Sequence, residues 1–150
     1  MTTSPFPTVG CTCFRLKKLT RAVSRLYDQH MAAVGLKTTQ YSLLKCVATQ
    51  SLPIAELASR LHAERTTLTR NLKPLLDAGW VVLAAGLDSR QRIVTITAGG
   101  RDLLKRARQA WRHAQNHIEQ TLGLTFVHDL NLQLDTALLL MEDRTHDTAK

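Results

Sequence analysis

Apolar residues recur every three to four positions along most of the chain, and this spacing predicts a largely helical protein. A first stripe runs from about Cys13 towards Gly35, and a last one runs from about Thr125 to Asp143. Pro53 and Gly79 mark interruptions between helices. The predicted helices, in chain order, are 13–35, 38–52, 54–61, 65–78, 100–122 and 125–143.

The spacing changes after Gly79. Residues 80–97, "WVVLAAGLDSRQRIVTIT", are rich in β-branched side chains and contain a Gly-Leu-Asp-Ser turn region. They predict a hairpin that pairs 80–84 with 92–97, and Thr97 stands where an N-cap would open the next helix. The predicted fold is mostly α with a small β-hairpin, in the order α-α-α-α-β-β-α-α.

The segment 54–80, "IAELASRLHAERTTLTRNLKPLLDAGW", has the pattern of two short helices joined by a tight turn, the second of them basic. This is the helix-turn-helix pattern. On a helical wheel the second helix has one apolar face, formed by Leu68, Leu72, Leu75 and Leu76. The opposite face and its flanks carry the hydroxyl and cationic groups that contact bases and phosphates, namely Arg65, Thr66, Thr67, Thr69, Arg70 and Lys73.

The hairpin tip adds a second basic element directly after this helix. It contains Asp88, Arg90 and Arg92. Arginine is favoured in the minor groove because the potential there is strongly negative. We therefore interpret residues 52–97 as a winged helix-turn-helix lobe, with the hairpin as its wing.

Charge and composition agree with a nucleic-acid partner. The chain has 20 Lys and Arg against 12 Asp and Glu, a net charge of +8 at pH 7, which favours polyanions. Neither a secretory signal nor a membrane-spanning stretch is recognisable. Three cysteines, an odd number, favour a reducing cytoplasm over a secreted disulfide scaffold. We expect a flexible tail, 1–12, followed by a single domain, 13–150.

The chain resembles the MarR family of bacterial transcriptional regulators. The resemblance lies in "TTQYSLL", "IAELASRL", "RTTLTRNLKPL", "DSRQRIVTIT" and "TAGG". It implies a homodimer on a near-palindromic double-stranded DNA operator, with helices 13–35 and 100–143 forming the dimer. It also implies that Arg90 enters the minor groove and that Asp88 orients it.

Four features depart from the family pattern. His62 stands in the inter-helix turn where glycine is usual, and Glu64 replaces a better N-cap. Pro74 lies inside the second helix of the motif, at a cost of about 3 kcal/mol unless it is compensated. The first wing strand reads Val-Val-Leu-Ala-Ala instead of being rich in arginine, which predicts a shallower salt dependence of DNA binding.

The Cys11-Thr12-Cys13 stretch at the start of the first helix admits several interpretations. A metal site has no obvious further ligand, and a disulfide between the two residues would close a small, strained ring. A partial resemblance to the OhrR-like, hydroperoxide-sensing branch of the family singles out Cys13. That branch begins its first helix with Cys-Phe-x-Leu, and the resemblance matches Tyr27 and Tyr41 to tyrosines that hydrogen-bond the thiol from the partner subunit. Lys17 stands where a further tyrosine is expected.

Three classes of function remain open at this stage. The first is a repressor released by an effector, either an oxidant at Cys13, with Cys11 as a resolving thiol, or a small aromatic or phenolic acid. The second is an architectural DNA-binding protein without an effector. The third is a thiol peroxidase, but no catalytic motif is recognisable, so we predict no enzyme and no cofactor. His113 and His117 lack a third ligand and predict no metal site; Cys46 is expected in the core.

Overall fold

The computed structural model describes residues 10–88 and 90–147, with side chains to residue 142. Residues 1–9 of the predicted tail lie outside this part. The described residues form six helices and three strands, in the order α1 (Thr12–Met31), α2 (Thr38–Thr49), β1 (Leu52–Pro53), α3 (Ile54–Arg60), α4 (Arg65–Asp77), β2 (Val81–Ala85), β3 (Arg92–Ile96), α5 (Ala98–Leu122) and α6 (Leu124–Asp147). A short 3-10 turn, Ala32–Val34, follows α1. The mostly helical fold with a small β wing is thus confirmed.

The start of α2 is held by a side chain from α1. Asp28 accepts hydrogen bonds through Oδ1 from the backbone N–H and the hydroxyl of Thr38, both at 2.7 Å. Within α2, the Gln40 side chain accepts from the backbone N–H of Lys37 at 2.9 Å. Since the first N–H groups of a helix have no partner inside the helix, these two side chains satisfy them.

The sheet has three strands, one more than the predicted hairpin. The strand order is β1-β3-β2 and both pairings are antiparallel. Val94 in β3 lies opposite Leu52 on one side and opposite Leu83 on the other. The prediction missed β1 because two residues, one of them a proline, are too short to show the alternation of a strand.

One apolar core joins α1 to α5. Val94 and the apolar face of α4 are almost completely buried, as the helical wheel predicts for Leu68, Leu72 and Leu75. Cys46, which is expected in the core, is half-buried and packs against this core instead of lying inside it. The large side chains at the centre of the core are Met31, Leu43, Leu44, Leu57, Leu72, Leu75 and Leu103.

The wing is fastened to α5 at Thr97. Its hydroxyl donates to the carbonyl of Gly79 at 2.7 Å and accepts from the N–H of Gly100 at 3.1 Å, while its N–H donates to the Trp80 carbonyl at 3.0 Å. Thr97 is therefore the N-cap that the sequence predicts. The helix begins at Ala98, earlier than the predicted residue 100, because the cap brings Gly99 and Gly100 into the first turn.

The irregular positions of the helix-turn-helix are accommodated in different ways. His62 has a φ of +46°, in the left-handed region that glycine favours. Pro74 lies inside α4, which continues to Asp77 and then turns through Ala78 and Gly79. The N-cap residue of α4, Glu64, makes no side-chain cap. The first turn of α4 therefore lacks a side-chain hydrogen bond from its N-cap residue.

The described part of the chain divides into two compact units, one that ends at Arg112 and one that begins at His113. The first contains α1 to α4, the sheet and the first part of α5. The second contains the rest of α5 and α6, joined at Gly123, whose φ of +88° ends α5. No helix within the described residues has both the length and the apolarity to cross a membrane.

Candidate nucleic-acid interface

Helix α4 separates an apolar face from a polar one. Leu68, Leu72 and Leu75 point into the core. The residues predicted to read DNA are all exposed, namely Arg65, Thr66, Thr67, Thr69, Arg70 and Lys73. Because the apolar face is fixed by packing, the basic and hydroxyl-bearing side chains are presented outward along the length of the helix.

The cationic side chains on α4 differ in whether they form ion pairs. Lys73 pairs with Asp77 at 2.7 Å, an exposed contact one turn apart on the same helix. Thr69 donates its hydroxyl to the Arg65 carbonyl at 2.9 Å and retains lone pairs for an external donor. Among the described residues, the side chains of Arg65 and Arg70 form no ion pair. These two arginines are therefore the cations of α4 best placed to meet a phosphate or a guanine edge.

The wing tip is shaped by Asp88. Its Oδ1 accepts from the backbone N–H of Arg90 at 3.0 Å, and its carbonyl accepts from the N–H of Gln91 at 2.9 Å. The carboxylate thus orders the main chain at Arg90 and leaves the guanidinium exposed. Arg92, where β3 begins, is exposed as well. The resemblance implies that Asp88 orients Arg90. In the structure, the Asp88 carboxylate contacts the backbone N–H of Arg90.

The first strand of the wing, β2, is apolar throughout. Val82 and Leu83 in β2 are about half exposed, and Leu87 at the tip is completely exposed. No arginine or lysine occurs in β2. The positive charge of the wing is thus concentrated at Arg90 and Arg92.

The sulfur atoms of the first helix are accessible. Cys11 is the N-cap residue of α1 and Cys13 lies in its first turn, and both side chains are exposed. Tyr27 lies 14 positions after Cys13 on the same helix, which at 1.5 Å per residue places it about 21 Å away. The structure therefore does not bring the two residues together within one chain.

Tyr41 belongs to a pocket between α2 and α5, which we call the α2–α5 pocket. It has a volume of about 340 Å³, and its walls include Tyr41, Lys45, Leu104, Arg108, Trp111 and Arg112. The Lys45 ammonium stands 5.9 Å from the centre of the Tyr41 ring and 5.8 Å from that of Trp111. Burial raises the pKa of Tyr41 and the nearby Arg108 partly offsets this, so the phenol remains protonated at neutral pH.

Sequence reasoning missed this pocket as a unit. The helix that contains Trp111 is expected to form part of the dimer, and in the structure the Trp111 side chain is half-buried against the core of the first unit. A signal was available, because Tyr41 with Lys45 and Arg108 with Arg112 are both four residues apart and so share a helix face. The sequence contains no signal that these faces of α2 and α5 meet.

The predicted absence of a metal site concerns His113 and His117, both of which are exposed. Within the described residues, no cluster of three or more His, Cys, Asp or Glu side chains is arranged to hold a metal ion.

Comparison with known proteins shows which proteins this chain is similar to. A sequence model of the MarR family matches residues 36–82. An uncharacterised HTH-type transcriptional regulator of Bacillus subtilis (strain 168), YwoH, is 30% identical over 84 residues, which are 55% of this chain and 61% of that protein. The matched region therefore spans less than two thirds of this curated relative.

Solved structures extend the match to almost the whole chain. The Mycobacterium tuberculosis transcriptional regulator MosR, in complex with DNA, is 32% identical, with a TM-score of 0.73; the match covers 87% of this chain and 98% of MosR. A MarR variant of Escherichia coli, complexed with operator DNA, shares the fold with a TM-score of 0.77 at 20% identity, over 91% of this chain and 99% of the other. The chain therefore belongs to the MarR family of transcriptional regulators.

Proposed function

We propose that this protein is a cytoplasmic repressor that binds a near-palindromic DNA operator as a homodimer and is released by an effector. The observation that carries the proposal is the exposed face of α4, where Arg65 and Arg70 lie among hydroxyl groups and form no ion pair with the residues that the structure describes. The basic tip of the wing follows in the same compact unit. A helix in the major groove and a wing tip in the adjacent minor groove use both features.

The contacts divide into those that read bases and those that bind the backbone. Arg70, together with Thr66 and Thr69, faces the bases, since a guanidinium pairs with guanine edges and short hydroxyls suit several bases. Arg65, Lys73 and Arg92 contact phosphates, and Thr67 borders the same surface. Arg90 enters the minor groove, positioned by Asp88. Because β2 contributes no cation, the number of phosphate contacts is smaller than the net charge suggests.

Exposed apolar side chains support the homodimer. Phe14 on α1 is 57% exposed. On α6, Leu139, Leu140 and Met141 are 64%, 62% and 69% exposed. Monomers rarely expose large contiguous apolar patches, and a two-fold partner that covers these residues removes them from water.

The operator hypothesis is tested by footprinting and by measuring the molar mass of the protein–DNA complex. DNA fragments selected from the source genome are expected to show a short protected palindrome, bound by two chains as measured by light scattering. The reason is that α4 and the wing reach one half-site and the dimer repeats them. Diffuse protection at any sequence would contradict the operator and favour an architectural DNA-binding protein.

For the effector, the α2–α5 pocket supports a small aromatic acid. Three cations, Lys45, Arg108 and Arg112, line it together with the Trp111 and Tyr41 rings, and no carboxylate lines it. A carboxylate on an aromatic ring matches this combination, since the ring packs on Trp111 and the anion reaches the guanidinium groups. The protonated Tyr41 hydroxyl supplies a further donor.

An oxidant at Cys13 is the second effector supported by an observation, the exposure of both thiols. Attack of the Cys13 thiolate on a peroxide breaks the O–O bond, forms a sulfenic acid and releases water or an alcohol. Cys11 is the candidate resolving thiol, although the disulfide that it would form with Cys13 closes a small, strained ring. The change would occur at the start of α1, beside the exposed Phe14.

Titration of the operator complex distinguishes the two effectors. If benzoate acts through the pocket, it releases DNA from the wild type, and Arg108→Ala raises the benzoate concentration needed by about tenfold or more, because one charge-assisted contact is lost. If peroxide acts at Cys13, Cys13→Ser binds DNA normally and ignores peroxide, while Cys11→Ser still responds. Fluorescence anisotropy of labelled operator measures both.

Matched controls keep the two hypotheses separate. Benzamide has the size of benzoate without its charge and should not release DNA. Arg106→Ala removes the same charge from α5 outside the pocket and should respond to benzoate as the wild type does. Equal benzoate responses of Arg106→Ala and Arg108→Ala would contradict the pocket, and a peroxide response of Cys13→Ser would contradict the thiol.

A further inference from the structure

Strand β2 forms the outer edge of the sheet and carries no charge. The strand order β1-β3-β2 leaves one side of β2 without a partner strand among the described residues. Its Val82 and Leu83 side chains are about half exposed, and residues 80–87 include no charged side chain. Proteins usually protect an exposed edge with charges, proline or a covering element, because such an edge pairs readily with a further strand. Neither the operator contacts nor the effector hypotheses above use this edge.

The register shows which backbone groups are available at the edge. The Gly86 N–H donates to the Gln91 carbonyl at 3.0 Å, so these residues form a hydrogen-bonded pair. Bonded and non-bonded pairs alternate along an antiparallel ladder, so Ala84 is bonded to β3 while Leu83 and Ala85 occupy non-bonded positions. The N–H and C=O groups of Leu83 and Ala85 therefore point away from β3, where a strand laid alongside would bond to them.

The charge of the chain favours a second copy as that strand. Because the net charge is +8 at pH 7, most contacts between copies place cations near cations, and like charges opposite each other across strands are destabilising. Two β2 strands avoid this, since neither has a charged side chain. A two-fold axis through Ala84 would set Leu83 of one copy opposite Ala85 of the other, with their outward backbone groups bonded to each other. Such self-complementary two-fold contacts are the commonest kind between identical chains.

We propose that the β2 edges of two homodimers pair with each other and that this contact couples dimers bound at neighbouring operators. The coupling rests on the proposed function. Arg90 and Arg92 lie at the tip of the wing and at the start of β3, whereas β2 has no cation, so the edge stays available while the tip contacts DNA. Two short strands pair only marginally by themselves, but DNA that holds two dimers side by side raises their effective concentration.

The pairing is tested without DNA, by a disulfide at the proposed axis. In a Cys11→Ser, Cys13→Ser background, Ala84→Cys places two thiols opposite each other at a non-bonded pair, where the Cα atoms are about 4.5 Å apart, a distance that a disulfide spans. Mild oxidation should join pairs of chains on a non-reducing gel and double the native mass of the homodimer in light scattering. Light scattering before oxidation reports on the homodimer itself.

Val82→Cys in the same background is the matched control. Residue 82 lies on the same strand and the same face, but its two copies would be offset by about four residues, or roughly 13 Å, along the paired strands. Val82→Cys should therefore not cross-link. Equal cross-linking of the Val82→Cys and Ala84→Cys proteins, or none in either, would overturn the pairing of β2 edges.

Coupling is measured on duplexes that carry two copies of the footprinted operator, with the spacing changed in single base-pair steps over one helical turn, about 10 base pairs. At one phase of the spacing, the wild type should bind the second operator about fivefold more tightly, or better, than it binds a single operator. Binding without coupling at every spacing would overturn the coupling. A wild type that binds no operator at all would instead contradict the proposed function, while the cross-link still reports on the edge.

A proline at the edge separates β2 pairing from other causes of coupling. Ala85→Pro removes an outward N–H and leaves the charge and the ladder to β3 unchanged, so it should abolish the coupling and retain the affinity for a single operator. Ala85→Val keeps that N–H and should couple as the wild type does. Coupling that persists in the Ala85→Pro protein would overturn the role of β2.

Discussion

Replacing Gly100 with alanine is expected to destabilise the protein by about 3 kcal/mol, the upper range for an overpacked site. A Cβ on residue 100 would overlap the backbone carbonyl oxygen of Trp80 and press on the Ile96 side chain. The carbonyl cannot move freely, because it also accepts from the N–H of Thr97. Thermal unfolding followed by circular dichroism should show a Tm lower by roughly 10 °C.

The neighbouring glycine provides the control. A Cβ on Gly99 would meet only the Thr97 hydroxyl, at 3.8 Å, an ordinary contact. Gly99→Ala is therefore expected to be neutral or to stabilise by up to about 1 kcal/mol, since alanine is the better helix former. Equal Tm values for the two variants would show that the close approach of α5 to the turn before β2 is not tight.

Replacing Arg90 with alanine is expected to weaken operator binding by roughly 1–3 kcal/mol, or about five- to 150-fold. The wing has few cations, so the loss of Arg90 removes much of its attraction to the minor groove. Asp88 orders the backbone at this residue, which leaves the guanidinium with less freedom to lose on binding. Anisotropy titrations of labelled operator over a range of salt concentrations measure the effect.

Two controls define the role of Arg90. Arg106→Ala removes one positive charge from α5 and separates the effect of net charge from that of the wing tip. Arg90→Lys keeps the charge but loses the planar fork of donors, so it should recover only part of the affinity. An affinity of Arg90→Ala equal to that of the wild type would refute a minor-groove contact.

Local sequence patterns predicted the elements well because their causes lie a few residues apart. The buried face of α4 follows from the spacing of Leu68, Leu72 and Leu75, and the start of α5 follows from the cap residue Thr97. The candidate DNA-contacting side chains followed from the same wheel, since a face opposite a buried stripe must be exposed. Their roles on DNA stay predictions for the experiments above.

The features that were missed depend on residues far apart in the chain. Strand β1 exists because Leu52 pairs with Val94, and nothing near Leu52 signals this. Asp28 holds the start of α2 across the turn from α1. In each case a hydrogen bond is satisfied by a partner that only the folded chain brings close.

By itself, the sequence determined the helices, the wing, the basic and apolar faces and the resemblance to a family, because periodicity, caps and motifs are local properties. Only the tertiary structure decided which faces meet. It brought Lys45 of α2 close to Trp111 of α5, which forms the cationic and aromatic α2–α5 pocket. Packing of distant segments creates such pockets, and packing is set by the whole core rather than by any segment.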